Sequence, residues 1–584
     1  MFSKCVASNK LGKCLVCQSK LKKKDKCSTC ESYQATITLN YTNSFNGLLK
    51  IYKEVKIDYH IQNYIKSESF FDYLIFIHHL VVHGSPTLHL IPRILNIFGR
   101  CKLPATVNMC STYLRDYVQF IVKYINQVSA RGKQTNWEFQ GAILALHQLY
   151  NINQMNSNKV PLSAFTCTML DLYFDTKRDF RNYKKNKFNL LSYSYVLPSS
   201  LKFRYLELET DRSQNIKFYY LPKCLEIHRE NLISDSLEIL NQTKLGRKLR
   251  IEFTNEEGVD AGGVIREWSN LVCDYLSPCL IEQNWISESA DAENMELLGT
   301  IFGLCLFNGS VLNVNLPNQF FRWLLGLEMR ECDFEFLFPE EMKHLNQLLQ
   351  YSNDANFDEL FGCMTFCRNL KKSNKEYALV KNGHAMHLNK YNLAEYVHAY
   401  KQSLLFAMNP EAFKAFHKGF WKVLPNKKFV NNLFSPQEVR LIIQGDDKFD
   451  LSLLRDVCIF DYSMYPIKLM NPKYPLHTFI RDFWDIVLND FNIEQKKKFL
   501  RFTTGCDRIC SARFCNIKEY DKRGFYFRVS ISGIDSNYLP IAHTCTANIN
   551  IGFHELCIHH YNSKEKLRHK LVTAISECNS FLLS

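Results

Sequence analysis

Residues 539–557 read LPIAHTCTANINIGFHELC. LPIAHTC (539–545) suits an extended strand, and FHELC (553–557) suits a second. Between them stands TANINIG, residues 546–552. Gly552 offers a hinge, and Asn548 and Asn550 tolerate turn conformations, so an outward-bulging connection is expected there. In an extended 539–545, His543 and Cys545 face the same side, about 7 Å apart, and Thr544 faces the other. At that separation His543 does not take the thiol proton unless the strand bends. Cys545 therefore has two readings. It is a nucleophile, which must act as thiolate, or a packed thiol, which is the default for a free cysteine. That default is the expectation for Cys506, Cys510, Cys515 and Cys557.

A chain of 584 residues is too long for one core, and length alone suggests roughly three or four domains. With 46% hydrophobic and 22% charged residues, the composition is that of a globular protein. The best membrane candidate, YLIFIHHLVV at 73–82, is too short to span a bilayer and holds two histidines, so no membrane partner is expected. No apolar run follows the first charges, so no signal peptide is expected. The 22 cysteines are then read as thiols or metal ligands in a reducing setting, cytoplasmic or nuclear. The formal net charge is +14, and residues 1–30 hold eight lysines against one aspartate. A second basic run, KRDFRNYKKNK, covers 177–187. Neither run matches a nucleic-acid module, so both are read as solvated surface and nucleic acid is not an expected partner. A zinc-dependent nucleic-acid binder remains the reading from another class.

Four cysteines near the start, Cys14 and Cys17 in CLVC and Cys27 and Cys30 in CSTC, are separated by nine mostly basic residues. Two such knuckles suit a tetrahedral, structural zinc site, and four thiolates leave no position open for catalysis. A module this small needs the metal to fold. Residues 1–40 are therefore expected to form a four-cysteine, zinc-finger-like module. Residues 41–215 are expected to be helical, because segments such as RDYVQFIVKYINQV (115–128) place aliphatics at i, i+3 and i+4. Residues 216–465 mix helices and strands. Pro466, Pro472 and Pro475 mark 466–477 as a hinge linker. Residues 478–584 form a compact tail.

Five stretches stand in order: LRIEFTNEEGVDAGGVIREW (249–268), LLGTIFGLCLFNGSVLNVNLP (297–317), SPQEVRLIIQGDDKFD (435–450), FLRFTTGCDRI (499–509) and LPIAHTC (539–545). Together, over about 216–584, they resemble the HECT family of ubiquitin ligases. Upstream, VPLSAF (160–165) and KFNLLSYSYVL (187–197) are similar to the region before the catalytic domain in the Angelman-syndrome ubiquitin ligase group. That group also carries an amino-terminal zinc finger.

The resemblance implies an α+β fold and a bilobal catalytic domain. The larger lobe, 216–465, is mainly α, and the smaller α/β lobe is 478–584. The helical 41–215 would recruit substrate. It also implies a ubiquitin-protein ligase activity. Cys545 would accept ubiquitin as a thioester from a conjugating enzyme and pass it to substrate lysines for proteasomal degradation, with no metal or ATP in the transfer. His543 and Thr544 flank the acceptor. Glu256, Asp260 and Glu267 would face the transfer site, with Arg229 set against them. From residue types alone, Gly258, Gly262 and Gly263 shape a strand-to-helix turn that Asp260 caps. Leu345, Leu348, Tyr351 and Tyr396 would line the groove for the conjugating enzyme, although their spacing by itself reads as core. Phe581, four residues from the end, would dock the tail. The chain departs from the family pattern at Asn313, where an aspartate is usual, and at Glu341, where an apolar residue is usual. TANINIG is extra, and Cys510, Ser511 and Ala512 replace a proline and glycine pair. These departures motivate an alternative, a catalytically impaired scaffold that still binds conjugating enzymes.

Overall fold

The computed structural model describes Ile77 and most of residues 91–577. Residues 1–76, 78–90, 104–108, 132–136, 214–222, 243–248, 257–263, 370–375, 446–449, 464–472, 509–525, 578–584 and a few single or paired positions lie outside the described residues. The expected zinc module at 1–40 falls there. The chain divides into two compact units, Met1–Tyr205 and Leu206–Ser584. The expected boundary at 215/216 stands some ten residues later than this division, which falls inside one helix.

The first unit is helical where described: α1 (Ile91–Phe98), α2 (Ser111–Ala130), α3 (Trp137–Met155), α4 (Thr176–Lys184) and the start of α5 (Ser199–Ser213). Helix α2 buries Leu114, Val118, Ile121, Ile125 and Val128, one stripe at three- and four-residue spacing. The segments VPLSAF and KFNLLSYSYVL meet on α3. Tyr150 stacks on Tyr195 at 3.9 Å, and Phe165 stands edge-on to both. The Cys167 amide donates to the Val196 carbonyl at 2.9 Å. On α4, Asp179 is buried and accepts from Tyr205 Oη at 2.5 Å and from the Leu190 amide at 3.0 Å. Burial outweighs these bonds and pushes its carboxyl up to about 6.

The second unit contains two structural parts. Its first part opens with β1 (Lys223–Ile227), α6 (Leu232–Gln242) and β2 (Leu249–Phe253), the two strands pairing in parallel. Then come α7 (Val264–Leu280), α8 (Ala292–Asn308), α9 (Asn318–Leu324) and α10 (Pro339–Gln350). A hairpin, β3 (Cys367–Asn369) and β4 (Glu376–Ala378), precedes α11 (Leu393–Phe406), α12 (Pro410–Val423) and α13 (Pro436–Gln444). Helices α8 and α12 approach closely because glycines line the contact. A methyl group on Gly299 would overlap the Phe416 carbonyl, and one on Gly419 would overlap the Glu296 carbonyl. That explains the spacing in LLGTIFG. Around the contact, Phe302 meets Phe416 at 5.1 Å and Phe320 meets Phe416 at 5.4 Å, both edge-on. SPQE starts α13 as a capping box: Ser435 and Glu438 exchange side-chain-to-backbone bonds, and Pro436 occupies the first turn.

The second part is built around β5 (Cys458–Asp461), α14 (Leu476–Asp485), α15 (Ile493–Thr504), β6 (Tyr526–Ile534), β7 (Ile541–Asn548), β8 (Ile551–His560) and α16 (Lys564–Glu577). Its sheet has the order β5–β6–β8–β7, with β7 at one edge. Strands β5, β6 and β8 run parallel, and β7 runs antiparallel to β8. Phe479, Phe483, Phe499, Phe527, Leu556 and Leu567 fill its core.

The second part begins before the expected linker at 466–477, of which 466–472 lies outside the described residues. Leu451 and Leu454 belong to the same core as Phe479, and Cys458 pairs with Phe527 in the sheet. Residues before the prolines therefore already belong to the second part. Burial of two leucines and a strand ladder outweighs the local breaking tendency of proline. At the other end of the stretch, Pro475 caps α14, which begins at Leu476. The described fold is α+β and mostly helical. Among the described residues, no helix is long and apolar enough to cross a membrane.

Gly299→Ala should destabilise the chain by about 1–3 kcal/mol through overpacking, read as a lower urea midpoint at an unchanged slope. Asp179 gives a pH test. Folded, it keeps its proton up to about pH 6; unfolded, it loses it near the ordinary carboxyl range. Between those limits the folded state binds more protons, so this group's contribution to stability falls as pH rises. Hydrogen exchange of the α3 amides should therefore lose part of its pH dependence between about 4 and 6 in Asp179→Asn.

Candidate active site

Cys545 lies within β7, the edge strand, and not at a strand end. Along the β7–β8 ladder, Glu555 stands opposite His543, and Phe553 stands opposite Thr546. Thr544 and Cys545 together therefore face the single residue His554. This is a β-bulge, which interrupts strand alternation at the expected nucleophile. His543 is exposed. The bulge sets the backbone of Thr544 and Cys545 apart from the regular pairing on either side.

Most of TANINIG is paired, and Ile549 and Asn550 lie outside the described residues. Ala547 pairs with Gly552, and Asn548 pairs with Ile551. The extra residues lengthen the hairpin, so the ribbon continues past Cys545. Alternating Thr546, Ala547 and Asn548 can join a ladder as readily as a turn, and the partner strand decides the outcome.

Among the described cysteines of this part are Cys506 and Cys557. Burial pushes the Cys557 thiol up to about 11 and the Cys506 thiol up to about 12. Both are held protonated at neutral pH and fit the packed-thiol reading.

Three of the quoted motifs converge on one junction inside the second unit. Gly505, at φ 80°, ends α15 in the left-handed conformation that glycine adopts without strain. The chain then turns so that Arg508 Nη1 donates to the carbonyls of Val314 (2.9 Å) and Gln444 (3.2 Å). The Cys506 thiol reaches the Val311 carbonyl at 3.7 Å. The buried Gln444 side chain accepts from the Leu316 amide at 2.5 Å and donates to the Leu316 carbonyl at 3.0 Å. Asn270 completes the knot. Its Nδ2 donates to the Val311 carbonyl at 3.1 Å, and its Oδ1 accepts from the Asn313 amide at 3.2 Å. Asn313 thus takes part through its backbone. Arg508, Gln444 and Asn270 were not among the expected site residues. Two of them stood inside the quoted motifs, but nothing in one sequence says which carbonyls a guanidinium will find.

The acidic positions are partly assembled. Arg229 bonds Glu256 through both carboxylate oxygens, and its Nη2 donates to Glu267 Oε1 at 2.8 Å. Its guanidinium also lies 4.0 Å over the Phe253 ring. The Arg229 bond holds the Glu256 carboxyl below its usual range, while burial raises that of Glu267. Asp260 lies outside the described residues, as do Phe581 and the four cysteines Cys14, Cys17, Cys27 and Cys30.

The four expected groove residues differ in burial. Leu345, Leu348 and Tyr396 are buried, and of the four only Tyr351 is exposed. The leucines sit on the inward face of α10, so they support a surface rather than form it. Tyr351 leans on Phe361 at 5.6 Å, and Leu349 and Leu360 are exposed nearby in sequence. The burial of the two leucines agrees with their helical spacing, which by itself reads as core.

The sequence pattern of the HECT domain, a ubiquitin-transferase, matches residues 270–584. The chain belongs to the HECT family. It is 29% identical over 527 residues to the probable E3 ubiquitin-protein ligase mug30 of Schizosaccharomyces pombe, a match that covers 80% of this chain and 62% of that protein. It is 27% identical to the probable E3 ubiquitin-protein ligase HUL4 of Eremothecium gossypii, covering 76% of this chain and 57% of that one. With the probable E3 ubiquitin-protein ligase HECTD2 of Mus musculus it shares 25% identity, over 75% of this chain and 59% of that protein. The chain thus spans somewhat over half the length of these HECT relatives. They lend no support to the expected grouping with the Angelman-syndrome ligase.

Arg508→Ala should cost about 1.5–3 kcal/mol, the range for hydrogen bonds from a charged group. It should also speed hydrogen exchange at the Leu316 amide, whereas exchange within α2 of the first unit stays unchanged.

Proposed function

We propose that this chain is a HECT-type ubiquitin-protein ligase with Cys545 as its acceptor. The observation that carries the reading is the HECT-domain match over 270–584, which contains Cys545 on its bulged edge strand. The Cys545 thiolate attacks the thioester carbonyl on a charged conjugating enzyme. A new carbon–sulfur bond forms, the old one breaks, and the enzyme's thiolate leaves. One thioester replaces another, so the step is near balance and needs no metal or ATP. A substrate lysine then attacks as the neutral amine. An isopeptide bond forms, the nitrogen loses a proton, and the Cys545 thiolate is released.

Glu256 and Glu267 bring two carboxylates to one guanidinium, a local excess of acid suited to drawing in a lysine ammonium and taking up its proton. Asp260 belongs with them in this proposal, and His543 and Thr544 flank the acceptor. The conjugating enzyme docks on the surface that presents Tyr351, with Leu345, Leu348 and Tyr396 behind it. Residues 451–584 act as the carrying lobe, with Phe581 docking the tail, and 206–445 as the loading lobe. The helical unit before them recruits protein substrates, and 1–40 holds a structural zinc on Cys14, Cys17, Cys27 and Cys30. The setting is cytoplasmic or nuclear, and the modified substrates go to the proteasome. Kinship with the Angelman-syndrome group rests on the 160–165 and 187–197 motifs alone.

The lengthened hairpin favours one second reading, a scaffold that docks charged conjugating enzyme without taking its ubiquitin. Incubation with charged conjugating enzyme separates the two. The ligase reading expects a ubiquitin adduct that reductant removes and that Cys545→Ala abolishes. No adduct on the intact chain, with conjugating-enzyme binding retained, supports the scaffold instead.

A further inference from the structure

Outside the transfer site, three side chains of different chemistry converge on the β3–β4 hairpin. Cys367 opens β3, Glu376 opens β4, and His384 lies on the single 3-10 turn Gly383–Ala385. One donor atom from each lies within 4.8 Å of the other two. The backbone fixes all three. Asn369 pairs with Glu376 and Cys367 with Ala378, and the Phe366 amide donates to the Gly383 carbonyl at 3.1 Å. A methyl group on Gly383 would overlap the Phe366 carbonyl, so glycine is what lets the turn lie against the strand.

The pattern of contacts decides what the cluster suits. Cys367 Sγ is 3.2 Å from His384 Nδ1, and Glu376 Oε2 is 3.1 Å from the same Nδ1. A thiol–imidazole–carboxylate relay places the sulfur on one ring nitrogen and the acid on the other. Here both meet one nitrogen, which carries either one proton or one lone pair and cannot serve both partners well. A cation at the centre resolves this. Thiolate, neutral Nδ1 and carboxylate then all point lone pairs at one centre, and their two negative charges match a divalent ion. Bonds of about 2.3 Å to sulfur and 2.0–2.2 Å to nitrogen and oxygen span tetrahedron edges of roughly 3.3–3.6 Å. The observed spacings need to open by only a few tenths of an ångström. Sulfur and nitrogen donors select against magnesium and calcium and suit zinc.

We propose that Cys367, Glu376 and His384 form a three-ligand zinc site, with the fourth position open to water or to a donor from a bound partner. It is separate from the amino-terminal cysteines and independent of ubiquitin transfer. The ion would tie two strands and a turn together directly beside Phe366, whose ring stands edge-on to Tyr396 at 5.3 Å.

Alkylation of the full chain tests this at the level of single peptides. After chelator treatment, iodoacetamide labelling is followed by mass spectrometry with and without added Zn2+. Zinc should slow labelling of Cys367 by about tenfold or more, because a metal-bound thiolate is a poor nucleophile. Labelling of the exposed Cys279 should not change. His384→Ala should return Cys367 to its metal-free rate. The near-isosteric Glu376→Gln should move the zinc titration midpoint to higher concentration. Equal labelling of Cys367 with and without zinc in the wild-type chain overturns the proposal, as does equal protection in His384→Ala.

Discussion

The guanidinium of Arg508 holds carbonyls from two distant places in the chain, Val314 and Gln444. Much of the second unit's arrangement follows from that grip. The Gln444 side chain ties the same neighbourhood to Leu316, and Asn270 ties it to α7. Such a network is worthwhile only if each polar group is satisfied, because buried polar atoms left unpaired are costly. Gly505 is the local device that makes it reachable. A left-handed helix end swings the next residues back across the molecule, where a longer helix would carry them away.

The two parts joined there are built on different principles. The helical part relies on close helix approach, with Gly299 and Gly419 letting α8 and α12 meet backbone to backbone. The other part relies on a parallel ladder buried beneath helices, with aromatic residues filling the space. A parallel core strand is committed on both sides, whereas an edge strand keeps one side open. Cys545 sits on the strand with that freedom, where the β7–β8 ladder slips. Cys506 and Cys557 sit where burial keeps their thiols protonated.

Electrostatics sorts the acids. Glu256 and Glu267 share Arg229, yet one carboxyl is drawn down by the ion pair and the other pushed up by burial. Two groups of one type, with opposite shifts beside one cation, form a site where proton affinity is graded over a short distance. The Cys367, Glu376 and His384 cluster shows the complementary case. There, three different residue types are brought to one point by a hairpin and a turn, and not by sequence proximity.

The sequence by itself determined the family, the α+β class and the individual local devices. The aliphatic spacing in 115–128 announced helix α2, and LPIAHTC announced the cysteine-bearing strand. Each is a short-range signal carried by backbone geometry. Only the tertiary structure decided the rest. The residues before 464 joined the second core through Leu451, Leu454 and a ladder to Phe527. Thr546, Ala547 and Asn548 joined the ribbon because a partner strand was there to pair with them. In each case the competing energies belong to contacts between residues far apart in the chain, and no local pattern records which partner will be present.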